Sequence, residues 1–218
     1  MSTEIDNDLN KIVNPYSIKE MTLRVVLHEY QEGPNLMTHL FTNAKWMYEN
    51  KCYKENGVIT EIKNISDEKK MSLGLKSRDL GGTHTMFRVT FECQICSVIE
   101  KTRIVGKIKK IQEMNVTIES GPILISVYVN NDRINEEAFF VDKINSVRYY
   151  NKIDSGVNKN VRNSSVLKIG DFVVVKILKC KYINGSDKIV CSGKLDNMAT
   201  ENEVSKYTNV KQRFPDDE

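Results

Sequence analysis

The stretch LKIGDFVVVKILKCKYINGSDKIVCSGKL, from Leu167 to Leu195, constrains the fold more than any other part of the chain. Two apolar, β-branched runs flank Asn184-Gly185-Ser186-Asp187. Asn-Gly between such runs is a strong hairpin signal, because those residues tolerate the positive φ of a tight turn. The centre of the first run is apolar, yet it ends in Lys179 and Lys181, and the second run carries Lys188 and Lys194. Two architectures fit that pattern. One is an ordinary hairpin with solvated rims. The other is the closing hairpin of a small barrel whose outer face meets an anion.

The charge distribution favours the second. The net charge of +3 over 218 residues conceals a gradient. Residues 1–100 hold 12 Lys and Arg against 14 Asp and Glu, residues 101–194 hold 17 against 9, and residues 195–218 hold 3 against 6. A basic segment between two mildly acidic ones implies that one domain meets an anion and another does not. At 40% hydrophobic and 28% charged, the composition is that of an ordinary globular protein. No apolar run approaches the ~20 residues of a membrane helix, so no membrane partner is expected. The first residues lack the apolar core of a secretory signal. Five cysteines without framework spacing point to a reducing compartment.

Residues 1–15 and 197–218 read as disordered tails, the second acidic. Two units lie between them, an α+β arrangement. In the first, residues 16–100, SIKEMTLRVVLHEY alternates as a strand with Leu23, Val25 and Leu27 on one face. Gly33-Pro34 then opens a helix, with Pro fitting its first position. Leu36, Met37, Leu40, Phe41, Ala44, Met47 and Tyr48 follow the 3.6 period. A strand through Val58, Thr60 and Ile62, a polar loop from Ser66 to Thr83, and the long strand TMFRVTFECQICSVI complete a β-α-β-β order. In the second unit, residues 101–196, five strands are expected at 103–111, 115–120, 123–129, 171–181 and 188–194. An insert at 130–166 should carry a short helix near Glu136–Ile144 and a polar, mobile stretch, NKIDSGVNKNVRNSS. Five strands with a long third connection are the pattern of an OB-type β-barrel, and a generic small barrel would look similar.

The order of these pieces carries a resemblance. A β-α-β-β unit feeds through IVGKIKKI into the barrel. The barrel continues with Gly121-Pro122, an apolar strand, the long insert and IGDFVVVKI, and closes with VCSGKLDNM. Over about residues 16–199 the chain resembles the stalk subunit of multisubunit DNA-directed RNA polymerases, the seventh subunit of RNA polymerase II and its archaeal E prime counterpart. That family usually carries a Pro and a Gly-Glu just before the barrel; Val98, Lys101 and Thr102 stand there in this chain. The resemblance is thus to a divergent member. It implies a non-catalytic subunit whose N-terminal, truncated RNP-like domain docks against the largest polymerase subunits at the clamp base. It also implies a barrel that contacts single-stranded nascent RNA near the exit path, and a small helical stalk partner. The divergence and the abundance of Asn, Lys and Ile fit two sources. A large DNA virus would place the protein in the virion and host cytoplasm, and a protist would place it in the nucleus. A free-standing OB-fold RNA-binding protein of translation initiation or RNA decay is the alternative.

For RNA contact the candidates are Lys107, Lys109, Tyr128, Lys179, Lys181, Tyr182 and Lys188. Cations suit phosphate, and rings suit bases. Lys107 and Lys109 share a strand face, with Lys110 on the other unless a bulge intervenes. Tyr128 falls out of phase with Ile123, Ile125 and Val127 and so points outward. Taken singly, each lysine equally suits a solvated barrel. Cys93-Gln94-Ile95-Cys96 on a strand directs its thiols to opposite faces, which is wrong for one tetrahedral metal. Cys180 and Cys191 lie on the two strands of the last hairpin, where they can approach each other, although reduced core thiols are the plainer reading. His28, His39 and His84 have no catalytic partner at a recognisable spacing, and Gly81-Gly82 is too little for a phosphate loop. No catalytic residue, metal or cofactor is expected. Trp46, beside the helical stripe, suits either peripheral core or a partner contact.

Overall fold

The computed structural model describes residues 12–66, 72–76, 84–112, 114–141, 147–150 and 164–208. They fall into two compact units: Tyr16–Ser97 with Tyr182–Lys188, and Val98–Lys181 with Met1–Pro15 and Ile189–Glu218.

The first unit is a sheet with a helix. Strand β1 (Tyr16–His28) pairs antiparallel with β5 (His84–Cys96) over its full length, from Tyr16↔Cys96 to His28↔His84. The other edge of β5 takes β3 (Val58–Ile65) along one half and the short β4 (Ser72–Lys76) along the other, and β2 (Lys51–Cys52) adds to β3. The expected loop from Ser66 to Thr83 therefore contains a strand, and the sheet has five strands. Period-two patterning directs Met21, Leu23, Val25 and Leu27 of β1 and Phe87, Val89, Phe91, Cys93 and Ile95 of β5 into one core.

Helix α1 (Leu36–Tyr48) covers that core with Leu40 and Ala44. It starts two residues after Pro34, which stands before the cap at Asn35 instead of at the first helical position. Side chains tie α1 to the edge strand: Asn43 Nδ2 donates to Val26 O at 3.0 Å and Tyr48 Oη to Arg24 O at 2.6 Å. These bonds occupy carbonyls that an edge would otherwise leave open. Where β3 slips register near Ile62, Glu49 Oε1 accepts from Ile62 N at 2.8 Å. Gly57, at φ +112°, leaves no room for a Cβ beside Cys96 O, so the turn into β3 requires glycine.

The second unit is a closed barrel. Strands β6 (Arg103–Gln112), β7 (Asn115–Ser120), β8 (Ile123–Tyr128), β12 (Phe172–Lys181) and β13 (Ile189–Met198) close in the order β6-β7-β8-β13-β12. All contacts are antiparallel except β8 with β13, which is parallel. This is an OB-like arrangement. Ile104, Ile108, Ile118, Ile125, Val175, Ile177 and Leu195 fill the interior.

Two interior positions are glycines because the barrel has no space for more. A Cβ at Gly193 would lie 2.5 Å from Val175 Cγ1 and 2.9 Å from Ile125 Cγ2, and one at Gly106 would lie 2.5 Å from Ile118 Cγ2. Gly193→Ala is therefore expected to cost about 1–3 kcal/mol by overpacking, read as a lower urea midpoint at unchanged slope. A midpoint equal to that of the parent protein would show that the interior yields.

Two expectations are corrected here. The insert has no helix at Glu136–Ile144 among its described residues. After a turn closed by Phe139 N donating to Asn135 O, β9 (Phe139–Val141) runs beside β10 (Val147–Tyr150), and β11 (Ser164–Val166) lies on the other side of β10. Phe-Phe-Val has strand propensity, and pairing with β10 prevails over the weak helical spacing. The C-terminal segment is not wholly a tail. Asn197 and Met198 belong to β13, and α2 (Glu201–Thr208) follows. Glu203 Oε2 accepts from Thr200 N and from Thr200 Oγ1, both at 2.8 Å, which fixes its first turn. The polar stretch at 151–163 and the termini 1–11 and 209–218 lie outside the described residues.

Candidate nucleic-acid interface

The outer face of the barrel is built by the same alternation that fills its inside. On β12, Val173, Val175 and Ile177 point inward, so Phe172, Val174 and Lys176 point outward. Val174 pairs with Val105, and both are buried under Ile12, Phe172 and Ala199, so this part of the outer face is covered by the unit's own terminal segments. Beyond it the face turns basic. Lys176 stands between Arg103 on β6 and Lys194 on β13, in register with both.

A register shift at Leu178 moves the alternation by one residue: Lys179 opposes Ser192, Cys180 opposes Cys191 and Lys181 opposes Val190. Lys179 and Lys181 are therefore outward and exposed, while the two cysteines point inward. The result is a row of four lysines on β12 and β13: Lys176, Lys194, Lys179 and Lys181. Lys176 and Lys194 are not among the RNA-contact candidates that the sequence offers, although Lys194 stands out on the second run of the hairpin. Directly opposed like charges across a ladder are unfavourable. Arg103 does not add to the row's free charge, because its Nε lies 3.0 Å from Oδ2 of the buried Asp196 carboxylate.

The other candidates distribute differently. A bulge after Ile108 does intervene on β6, so Lys110 opposes Thr117 and joins Lys107 and Lys109 on the outside. Lys107 opposes Glu119 in the ladder, and Lys109 Nζ pairs with Glu119 Oε2 at 2.8 Å. Lys107 is paired with Phe172, four residues from Lys176, so it lies roughly 13 Å along the strand from the near end of the row. Tyr128 is exposed, two residues past Ser126, the last β8 position paired with β13 at Ser192. Lys194 lies two residues past Ser192, in the same outward phase. Tyr182 and Lys188 belong with the first unit: the turn they bracket is held by Cys52 N donating to Ser186 O at 2.6 Å, Gly185 N to Cys52 O at 2.8 Å and Lys54 N to Asn184 Oδ1 at 3.1 Å.

Away from the barrel, Trp46 is 81% exposed, with Lys51 Nζ 5.7 Å from its ring centre. Cys93 and Cys96 are both fully buried. Burial, aided by the Glu49 and Glu92 carboxylates, pushes the Cys93 thiol up to about 11, away from the thiolate that a metal would need. Among the described residues no group of three His, Cys, Asp or Glu side chains could hold a metal ion. His28 and His84, paired at the end of β1 and β5, bring their Nε2 atoms to 3.2 Å. Among the described residues no helix is long and apolar enough to cross a membrane.

No family model matches the chain. Over 186 residues, 85% of this chain and 84% of the relative, it is 26% identical to a protein of Acanthamoeba polyphaga mimivirus described as a putative DNA-directed RNA polymerase subunit. The chain is thus similar, along 85% of its length, to a viral protein described as a polymerase subunit.

Proposed function

We propose that the protein is a non-catalytic stalk subunit of a DNA-directed RNA polymerase encoded by a large DNA virus. The observation that carries this reading is the similarity to the mimivirus polymerase subunit along 85% of the chain. The OB-like barrel with a lysine row on its outer face supports it. In this reading the first unit docks on the largest polymerase subunits near the clamp, with the exposed Trp46 on its contact face. A small helical subunit is its neighbour in the stalk. The barrel meets single-stranded nascent RNA through Lys176, Lys179, Lys181 and Lys194, with Tyr128 as a stacking surface and Lys107 and Lys109 at the margin. Tyr182 and Lys188 travel with the docking unit. The protein works in the virion and the host cytoplasm.

The test is a native pull-down of the tagged full chain from cells producing the polymerase. The two largest polymerase subunits are expected in near-equal amount with the bait. Recovery of ribosomal or RNA-decay proteins without those subunits would replace this reading by that of a free-standing OB-fold RNA-binding protein.

A further inference from the structure

Cys180 and Cys191 face each other across the closing hairpin. They are register partners on β12 and β13, and Cys191 Sγ donates to Cys180 Sγ at 3.4 Å. Cys191 is buried, whereas Cys180 is half-buried and keeps some surface that a small oxidant can reach. Paired residues of an antiparallel ladder have Cα atoms about 4.5–5.5 Å apart, inside the span a disulfide bridges. Their Cβ atoms stand at about the same separation, longer than the mean of a relaxed bridge. The pairing thus brings the two residues within reach of a bridge, at the long end of its Cβ range. Strained bridges are the readily reduced, regulatory kind.

We propose that Cys180 and Cys191 are a redox modification site, a dithiol that hydrogen peroxide closes to a disulfide and that excess thiol reopens. The chemistry balances without any further reactant. The Cys180 thiolate attacks one peroxide oxygen, the O–O bond breaks, and with a proton transferred the products are a Cys180 sulfenic acid and water. The Cys191 sulfur then attacks the sulfenic sulfur, forming the S–S bond and releasing a second water. Two thiols are oxidised and one peroxide is reduced. The hydrogen bond from Cys191 favours Cys180 as the attacking thiolate, lowering its pKa against the opposing effects of burial and the Glu100 carboxylate. The remaining thiols are less suited to the role. Cys52, Cys93 and Cys96 are all buried, and burial raises the pKa of Cys52 and Cys93.

The experiment treats the reduced full chain with hydrogen peroxide, then denatures it, alkylates the free thiols and maps the peptides. The expected product is a single intramolecular link between the Cys180 and Cys191 peptides, about 2 Da lighter than the reduced pair. Cys52, Cys93 and Cys96 should be recovered alkylated, and excess reduced glutathione should restore all five thiols. In Cys191→Ala, a sulfenic acid trap should label Cys180, which it should not in the parent protein. Sulfinic acid at Cys180 without a link, a link only between molecules, earlier closure of another pair, or a link that excess thiol cannot reopen would each overturn the proposal. The parent measurement decides even if the variant fails to fold.

Discussion

Changing Lys176, Lys179, Lys181 and Lys194 together to Gln is expected to flatten the salt dependence of single-stranded RNA binding by about three units in log K against log salt. Each phosphate neutralised on a single strand contributes a slope of about −0.7, and the row offers four cations. At moderate salt this amounts to a loss of two or more decades of affinity. The fold should survive the change. All four side chains point outward, and Lys176 directly opposes Lys194, so removing their charge relieves a repulsion. The nearby ion pair of Arg103 with Asp196 is untouched. Lys107→Gln with Lys109→Gln should flatten the slope less, because Glu119 already pairs with Lys109 and opposes Lys107 in the ladder. The measurement is fluorescence anisotropy with a labelled oligonucleotide over a salt series, with the circular dichroism spectrum as a check on folding. An unchanged slope would remove the row from any RNA contact and leave its lysines as solvation of the barrel.

The row also shows how far the sequence could be read. Alternation in FVVVKILKCK and IVCSGKL was enough to place each strand, and the observed barrel strands begin and end within a few residues of the expected positions. Alternation alone could not say which lysines meet. That depends on register, and on two bulges that shift the phase near Ile108 and Leu178. Lys176 and Lys194 are eighteen positions apart and become opposed only through the ladder. Tyr182 and Lys188 were grouped with the barrel lysines because they follow them in sequence, whereas hydrogen bonds to Cys52 and Lys54 assign their turn to the first unit. The helix at Glu201–Thr208 has a start signal in the sequence. Thr200-Glu201-Asn202-Glu203 has the spacing of a capping box, masked by an acidic, polar composition that resembles a tail. The insert misled for the opposite reason: its apolar residues suit two periods, and only pairing with β10 selects one.

Phe91→Ala is expected to cost the first unit about 3–5 kcal/mol, the range for removing a fully buried aromatic ring. Phe91 is fully buried on β5, paired with Met21 on one side and Ile65 on the other. It belongs to the core that Leu40 and Ala44 of α1 cover, so the lost ring leaves a cavity that sheet and helix border together. A loss of this size is a large fraction of the stability of a domain of this length. Amide exchange should therefore accelerate along β1, β3 and α1, whose hydrogen bonds open when that core opens. If the first unit docks on the polymerase, capture of the large subunits should fall in step with its unfolding, while RNA binding by the barrel lysines should be retained at temperatures where the barrel amides stay protected. Equal loss of both activities at such a temperature would refute the division of labour between the units. Unchanged exchange in β1 and β5 would show that the core collapses around the missing ring.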